Sequence, residues 1–270
     1  MSFHKLVRFE AEGHVHYGDL LEHDVKFTIR RLNGSPFTRL DATKDIFTVD
    51  KLLCPLEHTP IVICVGLNYR KHAEEANLPI ARDPIIFMKP SDALAASEDI
   101  ISVHPGAQEM LDFEGELVAI IGRDAKNVSE EAALDIVLGY TTGNDLSARN
   151  LQLPQVSGGQ FCYAKSFDGF APIGSYITTA EDVSNPQTLN LVTKVNGAIK
   201  QQSSTADMIW TVRQIIAHLS RGITLRKGTI IMTGTPSGVG FSTGQFLKDG
   251  DVVEVEISNL GSTRNKLNFE

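Results

Sequence analysis

The chain has 270 residues, a formal net charge of −8 and a sequence pI near 5.5. Its 42% hydrophobic and 21% charged content is typical of a soluble globular protein with enough apolar residues for a core. The acidic balance disfavours nucleic acid and anionic membranes as main partners, but a local cation could still bind a small anionic substrate.

The sequence also bears on where the protein works. No segment approaches the roughly 20 apolar residues that a membrane-spanning helix needs. The first residues, MSFHKLVRFEAEGH, contain no apolar stretch typical of an export signal. Cys54, Cys64 and Cys162 are isolated from one another, which indicates reduced thiols. We therefore expect a cytoplasmic protein.

The N-terminal part predicts a small β-rich domain over residues 1–58. Short β-like runs at Lys5–Phe9 and Val25–Arg31 are separated by polar turns such as Leu32–Pro36. The proline-flanked stretch Cys54–Pro60 has the composition of a connector. A second, larger domain is expected over residues 59–270.

This second region predicts a strand-rich α+β fold. Two helices are predicted: Ser129–Leu138, with Ser129 as N-cap, and Thr211–Ser220, with one apolar face. The predicted strands are Ile61–Val65, Ile85–Met88, Glu116–Ile121, Leu189–Val195, Thr229–Thr233 and Val252–Ile257.

Acidic residues interrupt one of these strands. Glu114 and Glu116 are two apart and therefore point to the same face, which Asp112 continues; Asp145 follows a later apolar run. Carboxylates without histidine or cysteine companions suit a hard ion such as Mg²⁺ or Mn²⁺. Spacing alone favours a solvated strand face for Glu114 and Glu116 and a turn cap for Asp145 over a metal site.

His72 and Glu75 are three residues apart in a segment that could form a helical turn, so they share a face. A histidine oriented by a carboxylate suits general-base catalysis. The neighbouring charged residues favour a surface pair on a polar helix when the sequence is taken alone.

Several motifs in order resemble the fumarylacetoacetate hydrolase family. They are FEGEL (113–117), GNDLSARNLQ (143–152), AKSFDGFAPIG (164–174) and ITLRKGTIIMTGTPSGVG (223–240), with further matches around residues 63–75, 84–90, 194–197 and 206–210. The match covers about residues 61–258, and residues 6–18 resemble the small leading domain of two-domain members less specifically. The resemblance implies a mixed β-sheet roll or sandwich with short helices, and a homodimer.

The resemblance also assigns roles to individual residues. It implies that Mg²⁺ or Mn²⁺ is held by the E-x-E pair and the later aspartate, with Ca²⁺ as a non-native occupant. It leaves Lys89 undecided between a structural and a substrate role. The implied metal ligands are Glu114, Glu116 and Asp145; the implied catalytic residues are His72, Glu75 and Lys165; the implied substrate-binding residues are Arg149, Gln152, Gly234 and Thr235.

The expected reaction acts on a small anionic 2-oxo or 1,3-dioxo acid through a metal-stabilised enolate. C–C bond cleavage, by an acylpyruvate hydrolase or a β-keto acid decarboxylase, ranks slightly above isomerisation or tautomerisation. A non-catalytic binding protein that retains the fold is an alternative of another class. A phosphohydrolase is disfavoured because no phosphate-binding loop is present. Departures from the family pattern, such as Gly115 and Asn150, leave the substrate open.

Overall fold

The computed structural model describes residues 2–270 and is dominated by strands. In chain order these are β1 (Lys5–Ala11), β2 (His14–His23), β3 (Phe27–Ser35), β4 (Arg39–Val49), β5 (Val62–Gly66), β6 (Ile85–Lys89), β7 (Leu94–Ala95), β8 (Ile100–Val103), β9 (Leu111–Asp112), β10 (Gly115–Ile121), β11 (Val137–Asn144), β12 (Ser147–Ala148), β13 (Ala171–Pro172), β14 (Ile177–Thr179), β15 (Asn190–Val195), β16 (Ala198–Ser204), β17 (Ile230–Met232), β18 (Val252–Ile257) and β19 (Gly261–Phe269).

The helices are short. They are α1 (Arg70–Glu75), α2 (Arg149–Gln152), α3 (Pro154–Ser157), α4 (Cys162–Lys165), α5 (Val212–Leu219) and α6 (Gly240–Thr243), with 3₁₀ helices at Ser91–Ala93, Pro105–Ala107, Ala133–Ile136 and Thr205–Asp207. Within residues 2–270, no helix has the length and apolarity needed to cross a bilayer.

Two sheets share an apolar core. A ten-stranded sheet has the order β4-β3-β2-β1-β14-β11-β10-β17-β5-β6, and only its β17–β5 pair is parallel. A five-stranded sheet has the order β16-β15-β18-β19-β8 and ends in a parallel β19–β8 pair. The mixed, strand-rich α+β architecture expected from the sequence is thus confirmed.

Strand β10 is buried on both faces. Leu117 and Ala119 pack in one apolar cluster with α5 and the five-stranded sheet. Val118 and Ile120 point the other way, into a cluster with β5, β17 and the N-terminal strands. Burying a Val, Leu or Ile side chain contributes about 1.5–3 kcal/mol. Leu117, Val118 and Ile120 therefore hold β10 firmly, and with it the acidic segment at its start.

The N-terminal strands continue the ten-stranded sheet. Strand β1 pairs with β14, where Leu6 lies opposite Ile177, and β2, β3 and β4 follow as a meander. The predicted run Val25–Arg31 begins two residues later and extends to Ser35, because β3 pairs with β4 along this whole stretch. The predicted turn at Leu32–Pro36 is therefore wrong; the chain turns after Ser35. A domain boundary at residue 58 stays a prediction.

Most other predicted elements agree with the structure. The six strands predicted after residue 60 are confirmed as β5, β6, β10, β15, β17 and β18, with ends that differ by at most one residue. The helix predicted at Thr211–Ser220 is confirmed as α5, which begins after a capping box formed by Thr211 and Gln214.

The helix predicted at Ser129–Leu138 is wrong. Ser129 does accept a hydrogen bond from the Ala132 N–H at 3.4 Å, as a cap would. The following bonds, however, span three residues, and only the 3₁₀ helix Ala133–Ile136 forms. From Val137 onward the chain enters β11, where pairing with β10 outweighs helix propensity.

The α5 capping box gives a direct test of the fold. Replacing Thr211 with Ala removes the hydroxyl that accepts the Gln214 N–H, so we expect the free energy of unfolding to fall by about 1 kcal/mol. Urea titration measures it. Thr211→Ser, which keeps the hydroxyl, is the control and should stay close to wild type; equal losses in both variants would contradict the role of the cap.

Candidate active site

Three carboxylates meet at one end of the β10–β11 pair. Glu114 immediately precedes β10, Glu116 lies within it, and Asp145 immediately follows β11. The register places Gly115 opposite Asn144, and the Asp145 N–H donates to the Glu114 carbonyl at 2.8 Å. One carboxylate oxygen from each acid lies within 4.8 Å of the others, and all three side chains are buried. The predicted ligand set is therefore brought together.

This cluster carries more negative charge than its surroundings neutralise. Burial, together with the charges of Asp145 and Glu114, raises the pKa of Glu116 well above its ordinary value. Asp145 Oδ1 is buried and, within residues 2–270, accepts no well-directed hydrogen bond. An all-oxygen donor set with excess negative charge fits a hard divalent cation, which would remove the repulsion between the acids. Mg²⁺ or Mn²⁺ stays the predicted occupant.

Lys165, at the end of α4, bridges two of these acids. Its Nζ donates to Glu114 Oε2 at 2.7 Å and to Asp145 Oδ2 at 2.8 Å. Burial lowers the pKa of Lys165, but the charges of Asp145 and Glu114 outweigh burial and raise it overall. For Glu114 the directions are reversed: burial raises its pKa, but the charges of Lys165 and Arg149 outweigh burial and lower it to about 2. This pair is therefore ionised at neutral pH.

Lys89, at the end of β6, is a second buried cation beside Asp145. Its Nζ lies 2.5 Å from Asp145 Oδ1 and donates to the carbonyls of Leu146 and Phe170 at 3.1 and 2.5 Å. The contact with Asp145 is an ion pair whose geometry is not that of a directed hydrogen bond. Because Lys89 is fully buried, its contacts favour a structural role, the first of the two alternatives left open.

Arg149, at the start of α2, contacts the cluster from the other side. Its Nε donates to Asp112 Oδ2 at 2.8 Å, its Nη2 to Glu114 Oε1 at 2.5 Å and its Nη1 to Gln152 Oε1 at 2.9 Å. Gln152 thus lies beside Arg149, as an auxiliary hydrogen-bonding residue would. Their contacts with substrate stay predictions.

Asp112 connects Arg149 to helix α6. It is fully buried, and its Oδ1 accepts the N–H groups of Phe113 and Gly240 at 2.9 and 2.6 Å. Its Oδ2 accepts the Phe241 N–H at 2.9 Å in addition to Arg149. Asp112 therefore fixes both the guanidinium group and the start of α6.

The loop after β17 is bound to the acidic segment. The Gly234 N–H donates to Glu116 Oε2 at 2.7 Å, and Thr235 Oγ1 donates to the Gly115 carbonyl at 3.0 Å. Gly234 has φ +101°, and a Cβ there would lie 2.5 Å from Asn68 Cβ, so glycine is required. In this structure the two residues orient the acids; the predicted contact with substrate stays a prediction.

Steric contact also explains why the residue between the two glutamates is glycine (Gly115). A Cβ at this position would lie 2.1 Å from Thr193 Oγ1. Gln201 occupies the adjacent space: its Oε1 accepts the Gly115 N–H at 3.0 Å, and its Nε2 donates to Thr235 Oγ1 at 2.8 Å. Gln201 therefore links the acidic segment to the loop that orients it.

His72 and Glu75 do share one face of α1. His72 Nδ1 lies 3.2 Å from Glu75 Oε2, and both side chains are mostly buried. Glu75 also accepts the Gly238 N–H at 3.2 Å and the Ser242 hydroxyl at 3.0 Å. Because a carboxylate with these donors acts as the acceptor, the His72 Nδ1 carries the proton and Nε2 is left as a base.

Glu114 of the acid triad, the cations Arg149 and Lys165, and the His72–Glu75 pair border a single cavity of about 550 Å³. Its polar lining residues are His72, Glu75, Glu114, Arg149, Gln152, Lys165, Thr235 and Ser242. Each predicted catalytic and substrate-binding residue except Gly234 contributes to this lining. The volume lies within the range of about 300–1,000 Å³ usual for small-molecule sites.

Several residues of the site were not predicted from the sequence. Asp112 was noted only as continuing the acidic face, and Gln201 lies in a strand whose sequence carries no recognisable signal. The sequence likewise carried no recognisable signal for the aromatic residues of the cavity wall, such as Phe241. Lys89 could have been assigned from its position in an otherwise apolar strand, since a lysine there needs a buried acid as partner.

The chain is similar to several known proteins. The sequence model described as fumarylacetoacetate (FAA) hydrolase C-terminal matches residues 61–268. Oxaloacetate tautomerase fahd2, mitochondrial, of Xenopus laevis is 40% identical over 216 residues, covering 79% of this chain and 67% of the relative. Oxaloacetate tautomerase YisK of Bacillus subtilis is 38% identical over 222 residues, covering 78% of this chain and 72% of the relative.

A solved structure matches almost the whole chain. The crystal structure of 2-hydroxyhepta-2,4-diene-1,7-dioate isomerase from Mycobacterium marinum has a TM-score of 0.85 and 36% sequence identity, with 98% of both chains covered. The similarity therefore includes the N-terminal strands. A homodimer and a cytoplasmic location stay predictions for this chain.

Glu116→Gln tests the metal centre. The amide keeps an oxygen for the Gly234 N–H but loses the charge. We therefore expect Mn²⁺ affinity to fall by more than about 100-fold. Substitution of a residue that contacts only the metal ligands typically costs ~10- to 100-fold. The metal-free variant should be at least as stable as wild type, since the neutral side chain at position 116 is not repelled by the charges of Asp145 and Glu114. Calorimetric titration and urea unfolding measure both. Glu256→Gln, in β18 and outside the cavity, is the control. Unchanged Mn²⁺ affinity in Glu116→Gln would show that the triad is not the metal site.

Lys89→Met tests the buried ion pair. Removing the ammonium leaves Asp145 with one cation fewer and takes a donor from the carbonyls of Leu146 and Phe170, so the metal-free protein should lose about 3–5 kcal/mol of unfolding free energy. Urea titration in the presence of a chelator measures this loss. Lys194→Met, which breaks a partly exposed pair with Glu256, should cost no more than about 1 kcal/mol; similar losses in both variants would refute the buried role.

Proposed function

The chain belongs to the fumarylacetoacetate hydrolase family, and on that premise we propose that it is a divalent-metal-dependent enzyme that interconverts the keto and enol forms of small 2-oxo acids. The observation that carries the proposal is that a histidine–carboxylate pair and Glu114, one member of the buried acid triad, border the same cavity.

Tautomerisation now ranks above C–C bond cleavage, the reverse of the order expected from the sequence. Two relatives near 40% identity are named oxaloacetate tautomerases, and the matched solved structure is named an isomerase. These names support proton transfer rather than bond cleavage. Oxaloacetate is accordingly the first substrate to test.

The charges of the site favour an anionic substrate. One negative charge is in excess when all the buried groups are ionised, and a divalent ion would convert this to one positive charge. The buried carboxylates are Asp112, Glu114, Glu116 and Asp145, and the buried cations are Lys89, Arg149 and Lys165. A 2-oxo carboxylate would complete the balance. A Mg²⁺ or Mn²⁺ ion held by the triad would act as a Lewis acid on the substrate oxygens.

His72 is suited to move the proton. In the keto-to-enol direction the C3–H bond breaks, its electron pair forms the C2–C3 double bond, and the C2 oxygen takes up a proton from water. His72 Nε2 accepts the C3 proton, while Glu75 holds Nδ1 and stabilises the imidazolium. The reverse direction returns the proton to C3 from the same nitrogen.

Lys165 is suited to stabilise the charge that develops on the substrate. Its ammonium is held by Glu114 and Asp145 at the cavity wall, so it needs no reorganisation when negative charge appears on the C2 oxygen. Arg149, held by Asp112 and Glu114, can bind the carboxylate in the same way.

C–C bond cleavage is the second candidate, because a base such as His72 can equally activate water. The two reactions share the withdrawal of electrons toward the C2 oxygen and differ in what attacks or leaves at the neighbouring carbon. The products therefore distinguish tautomerisation from C–C bond cleavage, whereas the geometry of the cavity alone does not.

The test is the rate at which the Mg²⁺- or Mn²⁺-loaded protein converts enol-oxaloacetate to the keto form, followed by ultraviolet absorbance. We expect an acceleration that chelation removes and that His72→Asn lowers by about 10²- to 10⁴-fold. His104→Asn, at an exposed histidine outside this cavity, is the matched control. NMR of the products provides the second readout: pyruvate accumulating without faster tautomerisation would replace the proposal with decarboxylation, and no change in either would favour a binding protein.

A further inference from the structure

The cavity wall beside the cations is apolar and rich in aromatic residues. The Lys165 Nζ lies 4.8 Å from the centroid of the Phe87 ring, which meets Phe161 edge-on at 6.0 Å. The Arg149 guanidinium lies 5.7 Å from the Phe241 ring centroid. Other apolar residues of the wall are Leu67, Leu78, Ile85 and Val239. An aromatic ring therefore flanks each of the two cations that face the cavity.

Some of this apolar surface is exposed without a covering group. Phe241 is 50% and Leu78 is 53% exposed, although both line the cavity. A cavity of about 550 Å³ is also large for a four-carbon acid. An apolar group entering from solvent would bury these side chains and remove apolar surface from water, which favours binding.

A second carboxylate on the substrate finds no further cation in this wall. Within residues 2–270, the positively ionisable side chains that line the cavity are His72, Arg149 and Lys165. In the proposed reaction Arg149 binds the first carboxylate and Lys165 stabilises the C2 oxygen. His72 serves as the base and is held by Glu75. A distal carboxylate would have to leave water for an apolar surface, which is unfavourable.

We infer that the cavity accepts 2-oxo acids that carry an apolar group on C3, branched or aromatic, and binds them more tightly than oxaloacetate. This inference rests on the proposed function for the orientation of the substrate, with its carboxylate and C2 oxygen toward the acids and cations. The C3 substituent then faces Phe87, Phe161 and Phe241. The proton transfer at C3 is unchanged, since the substituent takes no part in it.

Binding of a homologous series to the Mg²⁺-loaded protein tests the inference without relying on turnover. Calorimetric titration would compare pyruvate, 2-oxobutanoate, 2-oxopentanoate, 2-oxo-4-methylpentanoate and phenylpyruvate with oxaloacetate. We expect affinity to rise about two- to fourfold for each added carbon that is buried, and phenylpyruvate to bind at least about tenfold more tightly than oxaloacetate. A flat series, or oxaloacetate as the tightest ligand, would overturn the inference.

Phe241→Ala locates the effect in the wall. The substitution keeps the backbone N–H that Asp112 accepts and should weaken phenylpyruvate about tenfold while leaving pyruvate close to wild type. Ile46→Ala, which is also 50% exposed but lies in β4 outside the cavity, should change neither affinity. Equal weakening of pyruvate and phenylpyruvate by Phe241→Ala would assign the effect to Arg149 and contradict a contact with the substituent.

The two proposals fail separately. If affinity rises along the series but no 2-oxo acid tautomerises faster, the apolar subsite stands and the proposed reaction fails. If oxaloacetate tautomerises faster but affinity does not rise along the series, the reaction stands and the apolar subsite fails.

Discussion

Ionised carboxylates and ammonium groups are costly to bury, and the interior of this protein holds seven such groups in contact with one another. Each buried cation contacts at least one carboxylate at 2.5–2.8 Å, which offsets a desolvation cost of several kcal/mol per ion. The four carboxylates outnumber the three cations by one, and Glu116 is the carboxylate without a cation partner among these groups. Burial and its acidic neighbours raise the pKa of Glu116 well above the ordinary value. A divalent cation would complete the balance. The fold and the proposed chemistry therefore depend on the same set of contacts.

The segment 234–242 links three acids that differ in their proposed roles. Gly234 donates to Glu116 and Gly238 donates to Glu75, while Gly240 donates to Asp112. The metal-ligand candidates, the acid–base pair and the Arg149 network thus share one loop and the start of α6. These three N–H groups are committed to the carboxylates, so a shift of the loop would disturb all three at once. At Gly240 the glycine is explained by the close approach of backbone to carboxylate, since a Cβ there would lie 2.5 Å from Asp112 Oδ1.

The sequence predicted those parts of the molecule that local patterns determine. The spacing of Glu114 and Glu116 in an apolar run placed them on one face, and the apolar face of Thr211–Ser220 identified α5. Contacts between distant segments could not be read in the same way. The helix predicted from Ser129 failed because pairing of β11 with β10 competes for the same residues, and Gln201 reaches Gly115 only through the packing of two sheets. The roles of His72 and Lys165 came from resemblance, since the residues alone favoured a surface pair for His72 and Glu75.

The apolar wall and the preferred reaction support each other physically. Removing an activated proton from C3 and returning it requires a base and a stabilised oxygen, but no water at the reacting carbon. Cleavage by hydrolysis requires a water molecule beside that carbon. An apolar substituent seated against Phe87, Phe161 and Phe241 would exclude water from this side of the cavity and strengthen the electrostatic contacts of Lys165 with the developing charge. A substrate that fills the wall therefore favours proton transfer over hydrolysis at the same set of catalytic groups.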